Sequence, residues 1–186
     1  MENFNNLIIE PNLILSSFKE GDKPLLCQYL NDAELYRNTL MVPNPYTDVD
    51  AANWLDLTFK ELEEHGHPIN WAIRGENDEL IGGIGCFLAG GKNYHADEIG
   101  YWLAKPLRGK GIMSKVVRSY CNYLFESRPD LARIEAKVFP FNPASVRLLE
   151  KIGFEREGYA KKLKQKKGEY LDCVLLACFR DTLLLN

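Results

Sequence analysis

Glu98-Ile-Gly-Tyr-Trp-Leu-Ala-Lys-Pro-Leu-Arg-Gly-Lys-Gly-Ile-Met113 begins as a strand and ends as a helix. Apolar and aromatic residues fill Ile99 to Ala104, and Pro106 biases Lys105 toward extended geometry. The chain then turns through Arg108-Gly109-Lys110-Gly111. Beyond it, Ile112, Met113, Val116, Val117, Tyr120 and Leu124 recur at the three- and four-residue offsets of an amphipathic helix. A glycine-flanked turn at a helix N-terminus presents unpaired backbone N–H groups, and the helix dipole adds partial positive charge. Together these cradle a phosphate or pyrophosphate. Arg108 and Lys110 can add charge-assisted bonds to the same anion. A plain tight turn using Gly109 and Gly111 for positive φ is the competing reading. The strand before, the helix after and the two cations favour the anion. No G-K-[ST] follows at P-loop spacing, and a full G-x-G-x-x-G is absent.

Outward from this stretch the chain alternates period. Leu13 to Phe18 reads as a first strand, and Asp22-Lys-Pro24 as a helix start with Asp22 as N-cap. Pro43 and Pro45 bracket a loop. Asp48 caps a second helix whose expected apolar face is Val49, Ala52, Leu55, Phe59 and Leu62. Ile69–Arg74, Leu80–Leu88 and Glu98–Ala104 read as three strands of an antiparallel meander, with a turn over Ala89-Gly-Gly-Lys-Asn93. After the long helix come a strand over Arg133–Phe139 and a short helix over Asn142–Ile152, stopped by Gly153. Two last strands, Phe154–Ala160 and Tyr170–Phe179, flank a Lys-rich turn. The strand–helix–strand unit around the long helix should be parallel and right-handed, which makes a mixed α/β sheet.

The 186 residues fit a single domain over 1–186, and 46% apolar with 26% charged is an ordinary globular balance. A net charge of −3 argues against a DNA-binding surface. No apolar run spans a bilayer, and the N-terminus lacks a secretion signal. Cys27, Cys86, Cys121, Cys173 and Cys178 form no C-x-x-C pair, so neither a disulfide framework nor a metal site is expected. These features describe a reduced, cytoplasmic, soluble protein.

Arg108-Gly-Lys-Gly-Ile-Met113 resembles the R/Q-x-x-G-x-G/A acetyl-CoA motif of the GCN5-related N-acetyltransferases. Asn142-Pro-Ala-Ser145 with Leu148-Leu-Glu-Lys-Ile-Gly-Phe154 is similar to the N-x-x-S…L-E-K-x-G-F segment of the ribosomal-protein N-terminal acetyltransferase branch, the RimJ/RimL type. The opening Leu13–Phe18 and the closing Gly168-Glu-Tyr-Leu-Asp172 resemble that branch too, so the resemblance covers about Leu13 to Arg180. Met113 departs from the motif's last Gly or Ala. Ser16 and Ser17 replace the usual basic residue near the start.

The resemblance implies the family fold, a mostly antiparallel mixed sheet flanked by helices. It also implies transfer of an acetyl group from acetyl-CoA to an amine, with no metal. The cofactor's pantetheine arm would lie along the strand carrying Tyr101, Trp102 and Leu103, and its pyrophosphate on Arg108, Gly109, Lys110, Gly111, Ile112 and Met113. Asn142 would also bond the pantetheine. Glu98 is the candidate base, with room beside it at Gly100. The alternative is a carboxylate paired with a nearby Lys or Arg. Ser145 is the candidate acid toward the sulfur, or equally a helix-cap residue with Asn142 as N-cap. Trp54, Phe59 and Tyr46 would wall the acceptor pocket or pack the core.

Three functions follow. The first is acetylation of a protein N-terminus, a ribosomal protein's in the first place. The second is acetylation of a polyamine, amino sugar, antibiotic or other small amine, and the third is a non-catalytic acyl-CoA-binding module. The basic run Lys161–Lys167 reads as a solvated hairpin tip or as an attractor for CoA phosphates or ribosomal RNA. Edge strands of such a sheet allow a homodimer.

Overall fold

The computed structural model describes residues 6–87 and 95–183. Leu88 and the turn expected over 89–93 lie outside them. Eight strands follow the order β1-β2-β3-β4-β5-β6-β8-β7. They are β1 (Leu7–Glu10), β2 (Leu13–Ser16), β3 (Asn70–Arg74), β4 (Leu80–Cys86), β5 (Ala96–Leu103), β6 (Arg133–Val138), β7 (Glu155–Lys166) and β8 (Glu169–Phe179). The helices are α1 (Lys23–Leu30), α2 (Ala33–Asn38), α3 (Asp48–His65), α4 (Ile112–Ser127), α5 (Pro143–Lys151) and α6 (Arg180–Leu183). The mixed, mostly antiparallel sheet with helices is the expected class. The chain divides into two compact units, one of residues 1–86 and 101–112, the other of 87–100 and 113–186.

In the first unit β1 to β4 pair antiparallel in sequence, with Leu15 opposite Ile73 and Trp71 opposite Ile84. Phe18, Leu26, Leu30, Leu35, Tyr46, Ala51 and Leu55 form its core. Gly82 and Gly83 of β4 are required by packing. A Cβ at Gly82 would meet the Trp102 carbonyl at 2.5 Å, and one at Gly83 the Trp102 indole nitrogen at 2.6 Å.

Several local expectations change here. β1 precedes the first expected strand, and α2 is a third early helix, capped by Asp32, whose carboxylate accepts the Glu34 N–H at 2.9 Å. Asp22 stands before α1, but its backbone is helical and it makes no capping bond to that helix: its carboxylate accepts the Lys19 N–H at 2.8 Å and is held by Arg74. Thr47, not Asp48, caps α3, through a capping box with Asp50. The inward face is also rotated from the expected one: Ala51, Leu55 and Thr58 are buried, Ala51 and Leu55 within the first unit's core, and Val49 is 68% exposed.

In the second unit α4 buries Met113, Val116, Val117, Tyr120, Cys121, Leu124 and Phe125, as its period requires. β5 pairs parallel with β6, Ala96 opposite Arg133 and Glu98 opposite Glu135, and β6 pairs antiparallel with β8. Along β6 Ile134, Ala136 and Val138 are buried while Arg133, Glu135 and Lys137 are half-buried, so the charged residues share one face. The Lys-rich run is not a turn. Lys161 to Lys166 continue β7, and the chain reverses at Lys167-Gly168, both at positive φ. Backbone pairing of Lys164, Gln165 and Lys166 with Leu171, Tyr170 and Glu169 of β8 overrides the loop-like composition. All five cysteines are free.

Candidate active site

The turn from Arg108 to Gly111 lies in the first unit. Pro106 sits in a short 3-10 turn over Lys105–Leu107, after which Arg108 is extended. Gly109 and Gly111 follow at φ 77° and 79°, the left-handed region that excludes most side chains. Nothing lies within 4 Å of a Cβ built on either, so the backbone is open to a ligand there. α4 opens directly afterwards at Ile112, and its first-turn N–H groups have no partner inside the helix. Left-handed turn, helix N-terminus and exposed Lys110 together fit a pyrophosphate.

Arg108 itself points elsewhere. Its Nη2 lies 2.6 Å from Asp32 Oδ2, an ion pair without hydrogen-bond alignment, and its Nη1 donates to Glu34 Oε2 at 3.1 Å. Burial pushes the Asp32 carboxyl up, but the Glu34 N–H and the Arg108 guanidinium outweigh it and hold the carboxyl below its ordinary value. These partners are more than seventy positions away in sequence, out of reach of any local pattern. A cavity of about 560 Å³ opens beside them, lined by Gln28, Tyr29, Asn31, Asp32, Ala33, Glu34, Lys105 and Pro106.

Of the β5 residues, Tyr101 and Trp102 are half-buried and Leu103 is buried. Trp102 packs against the first unit's core, as do Trp54 and Phe59, while Tyr46 belongs to that core. Trp54 meets Phe18 edge-to-face, centroids 5.9 Å apart.

Glu98 lies in the second unit. Its Oε2 accepts from Lys137 Nζ at 2.5 Å, with the two side chains 19% and 27% exposed. Lys137 also lies 3.8 Å from Glu135. Asp97, next to Glu98 on β5, has a fully buried side chain paired with Arg128. The place over Gly100 is flanked by the exposed ring of Phe87, which a Cβ would approach to 3.3 Å. Lys137 and Phe87 were not singled out in the sequence; the period-two facing of β6 could have pointed to Lys137. Asn142 caps α5, its Oδ1 accepting the Ser145 N–H at 3.3 Å, with Pro143 in the first turn. Ser145 is therefore fixed at the head of that helix, half-buried. The structure brings Glu98 to Lys137 and Asn142 to Ser145.

Residues 12–155 match the family model described as an acetyltransferase (GNAT) domain. The chain belongs to the GNAT acetyltransferase family. It is 34% identical to the N-acetyltransferase p20 of Bacillus licheniformis over 169 residues, 90% of this chain and 93% of the relative. To the ribosomal protein uS5-alanine N-acetyltransferase of Escherichia coli it is 35% identical over 119 residues, 63% of this chain and 60% of the relative. The crystal structure of the ribosomal-protein-S5-alanine acetyltransferase of Vibrio fischeri superposes with a TM-score of 0.80 at 25% identity, covering 96% of this chain and 98% of that one. This acetyltransferase is thus similar to the RimJ/RimL-like branch as well. Among the described residues no helix is long and apolar enough to cross a membrane, and no group of three His, Cys, Asp or Glu side chains could hold a metal.

Proposed function

We propose that this acetyltransferase uses acetyl-CoA as co-substrate and acetylates the α-amine of a protein N-terminus, a ribosomal protein's in the first place. The observation that carries the cofactor assignment is the doubly left-handed turn at Gly109 and Gly111 heading the 16-residue α4. The likeness to the uS5-alanine enzyme supports the acceptor class. Bound there, acetyl-CoA supplies the acetyl thioester that the amine attacks. The backbone of Gly109, Lys110, Gly111, Ile112 and Met113 takes the pyrophosphate, with Lys110 adding charge from the exposed side of the turn. Tyr101, Trp102 and Leu103 of β5 support the cofactor arm, and Asn142 bonds it.

Glu98 receives the proton that the acceptor amine loses. Lys137 holds one carboxylate oxygen and leaves Oε1 to accept. An α-amine, with an ordinary pKa of about 7.7–8.0, needs less help than lysine at about 10.4, so one carboxylate is adequate. Ser145, held by the α5 cap, donates a hydrogen bond toward the departing sulfur. The test is turnover of an acceptor panel of N-terminal peptides, spermidine and aminoglycosides. N-terminal peptides are the expected acceptors, and Glu98→Gln should lower kcat/KM by about 10²–10⁴-fold. Wild-type kcat/KM in both Glu98→Gln and Ser145→Ala from about pH 6 to 9 refutes the residue roles. Spermidine or an aminoglycoside turned over in preference to peptides refutes the acceptor.

A further inference from the structure

Arg108 reads in the sequence as a cation for the anion, yet three groups of its own unit already claim its guanidinium. Asp32 Oδ2 lies 2.6 Å from Nη2, Glu34 Oε2 accepts from Nη1 at 3.1 Å, and the Leu103 carbonyl accepts from Nε at 3.0 Å. They come from the start of α2 and the end of β5, and Arg108 begins the turn. We infer that Asp32 is a positioning residue for the pyrophosphate-binding turn, fixing through Arg108 the direction in which the amides of Gly109 to Ile112 point.

The inference rests on the acetyl-CoA reading above. Asp32 is suited to bracing. Its side chain is only 10% exposed, and its Oδ1 is tied to the Glu34 N–H at 2.9 Å, so the carboxylate cannot swing away. Arginine is suited too, because its rigid fork donates in several directions at once, as a lysine ammonium on a flexible stem does not. The two glycines that make the turn open to a ligand have no side chain to anchor it, and nothing lies within 4 Å of where a Cβ on either would be. On the strand side of the turn, rigidity enters from Arg108, its first residue. The carboxylates also offset the guanidinium's charge, which leaves the anion to the amides and Lys110.

The two possible roles of Arg108 predict opposite signs. If Asp32 braces the turn, removing its charge loosens the amides and weakens binding. If the carboxylates merely compete with phosphate for Arg108, removing one frees the guanidinium and tightens binding. The experiment is CoA titration by calorimetry on the full chain, with amide hydrogen exchange on the ligand-free protein. Asp32→Asn should weaken CoA about tenfold and speed exchange at Gly109–Ile112. Arg108→Ala should do the same, and the double variant should be no worse than either single one. Asp32→Glu should restore part of the affinity. Unchanged or tighter CoA binding in Asp32→Asn overturns the inference. Should that variant fail to fold, Glu34→Gln at the exposed end of the brace decides. A smaller loss of affinity with faster exchange supports the inference, and no change in either refutes it. A wild-type chain that does not bind CoA removes the acetyl-CoA reading and this inference together, whereas firm wild-type binding with an indifferent Asp32→Asn strikes this inference alone.

Discussion

Arg74–Asp22 in the first unit and Lys137–Glu98 in the second are both pairs of opposite charge whose cation stands on a strand, and they differ in what else holds them. Arg74 and Asp22 have side chains 1% and 6% exposed and meet in a bidentate fork at 2.9 and 2.8 Å. The remaining guanidinium donors reach Ser16 Oγ at 2.6 Å, the Ser17 carbonyl at 3.2 Å and the Asp78 carbonyl at 3.1 Å. Lys137 instead touches Glu98 through one oxygen, at the half-exposed face of β6. A saturated, dry pair is fixed in place and costly to disturb. A pair joined at one point and reachable by water can exchange partners, which is what a proton acceptor requires.

Stability measurements can break this contrast. Asp22→Ala leaves the Arg74 charge buried without its partner and should cost about 3–5 kcal/mol in urea unfolding. Gly82→Ala forces a Cβ against the Trp102 carbonyl at 2.5 Å, a backbone atom that cannot rotate aside, and should cost about 1–3 kcal/mol in the same assay. Thr47→Ala should cost about 1 kcal/mol through the lost α3 cap, with Asp48→Ala well below it. Lys137→Met should cost less than about 1 kcal/mol, and a loss matching that of Asp22→Ala would erase the distinction between the two pairs. The smallest effect is in pH. The folded Asp32 carboxyl is held below its ordinary value, so its contribution is full above the unfolded value of about 3.9 and fades as pH falls through the folded one. Asp32→Asn should flatten that acid limb of the urea midpoint against pH.

Features dictated within a dozen residues were readable beforehand. The β5–turn–α4 passage follows from a change of period and two glycines, and the α5 cap from Asn142-Pro143-Ala144-Ser145. α2, with six residues, is too short to show a period, and β1 has only four. Asp48 and Thr47 are both good caps for α3, and only the reciprocal bond to Asp50 selects Thr47. Lys161–Lys166 reads as a turn because lysines dominate it, and only the ladder to β8 makes it a strand. The partners of Asp22, Arg108 and Glu98 lie at sequence separations of 52, 74 and 39 residues, where a single sequence carries no signal.

β7 is the last strand of the sheet, so its outer row of backbone groups has no neighbour in strand order. Such a border is a natural template for stacking further chains into fibres. Here four ammonium groups, at Lys161, Lys162, Lys164 and Lys166, stand along it, and its register slips between Ala160 and Lys164. An identical chain approaching that border meets like charge and a kinked partner, and the repulsion weakens as ionic strength rises. Concentrated brine should therefore be the condition under which this protein first clumps.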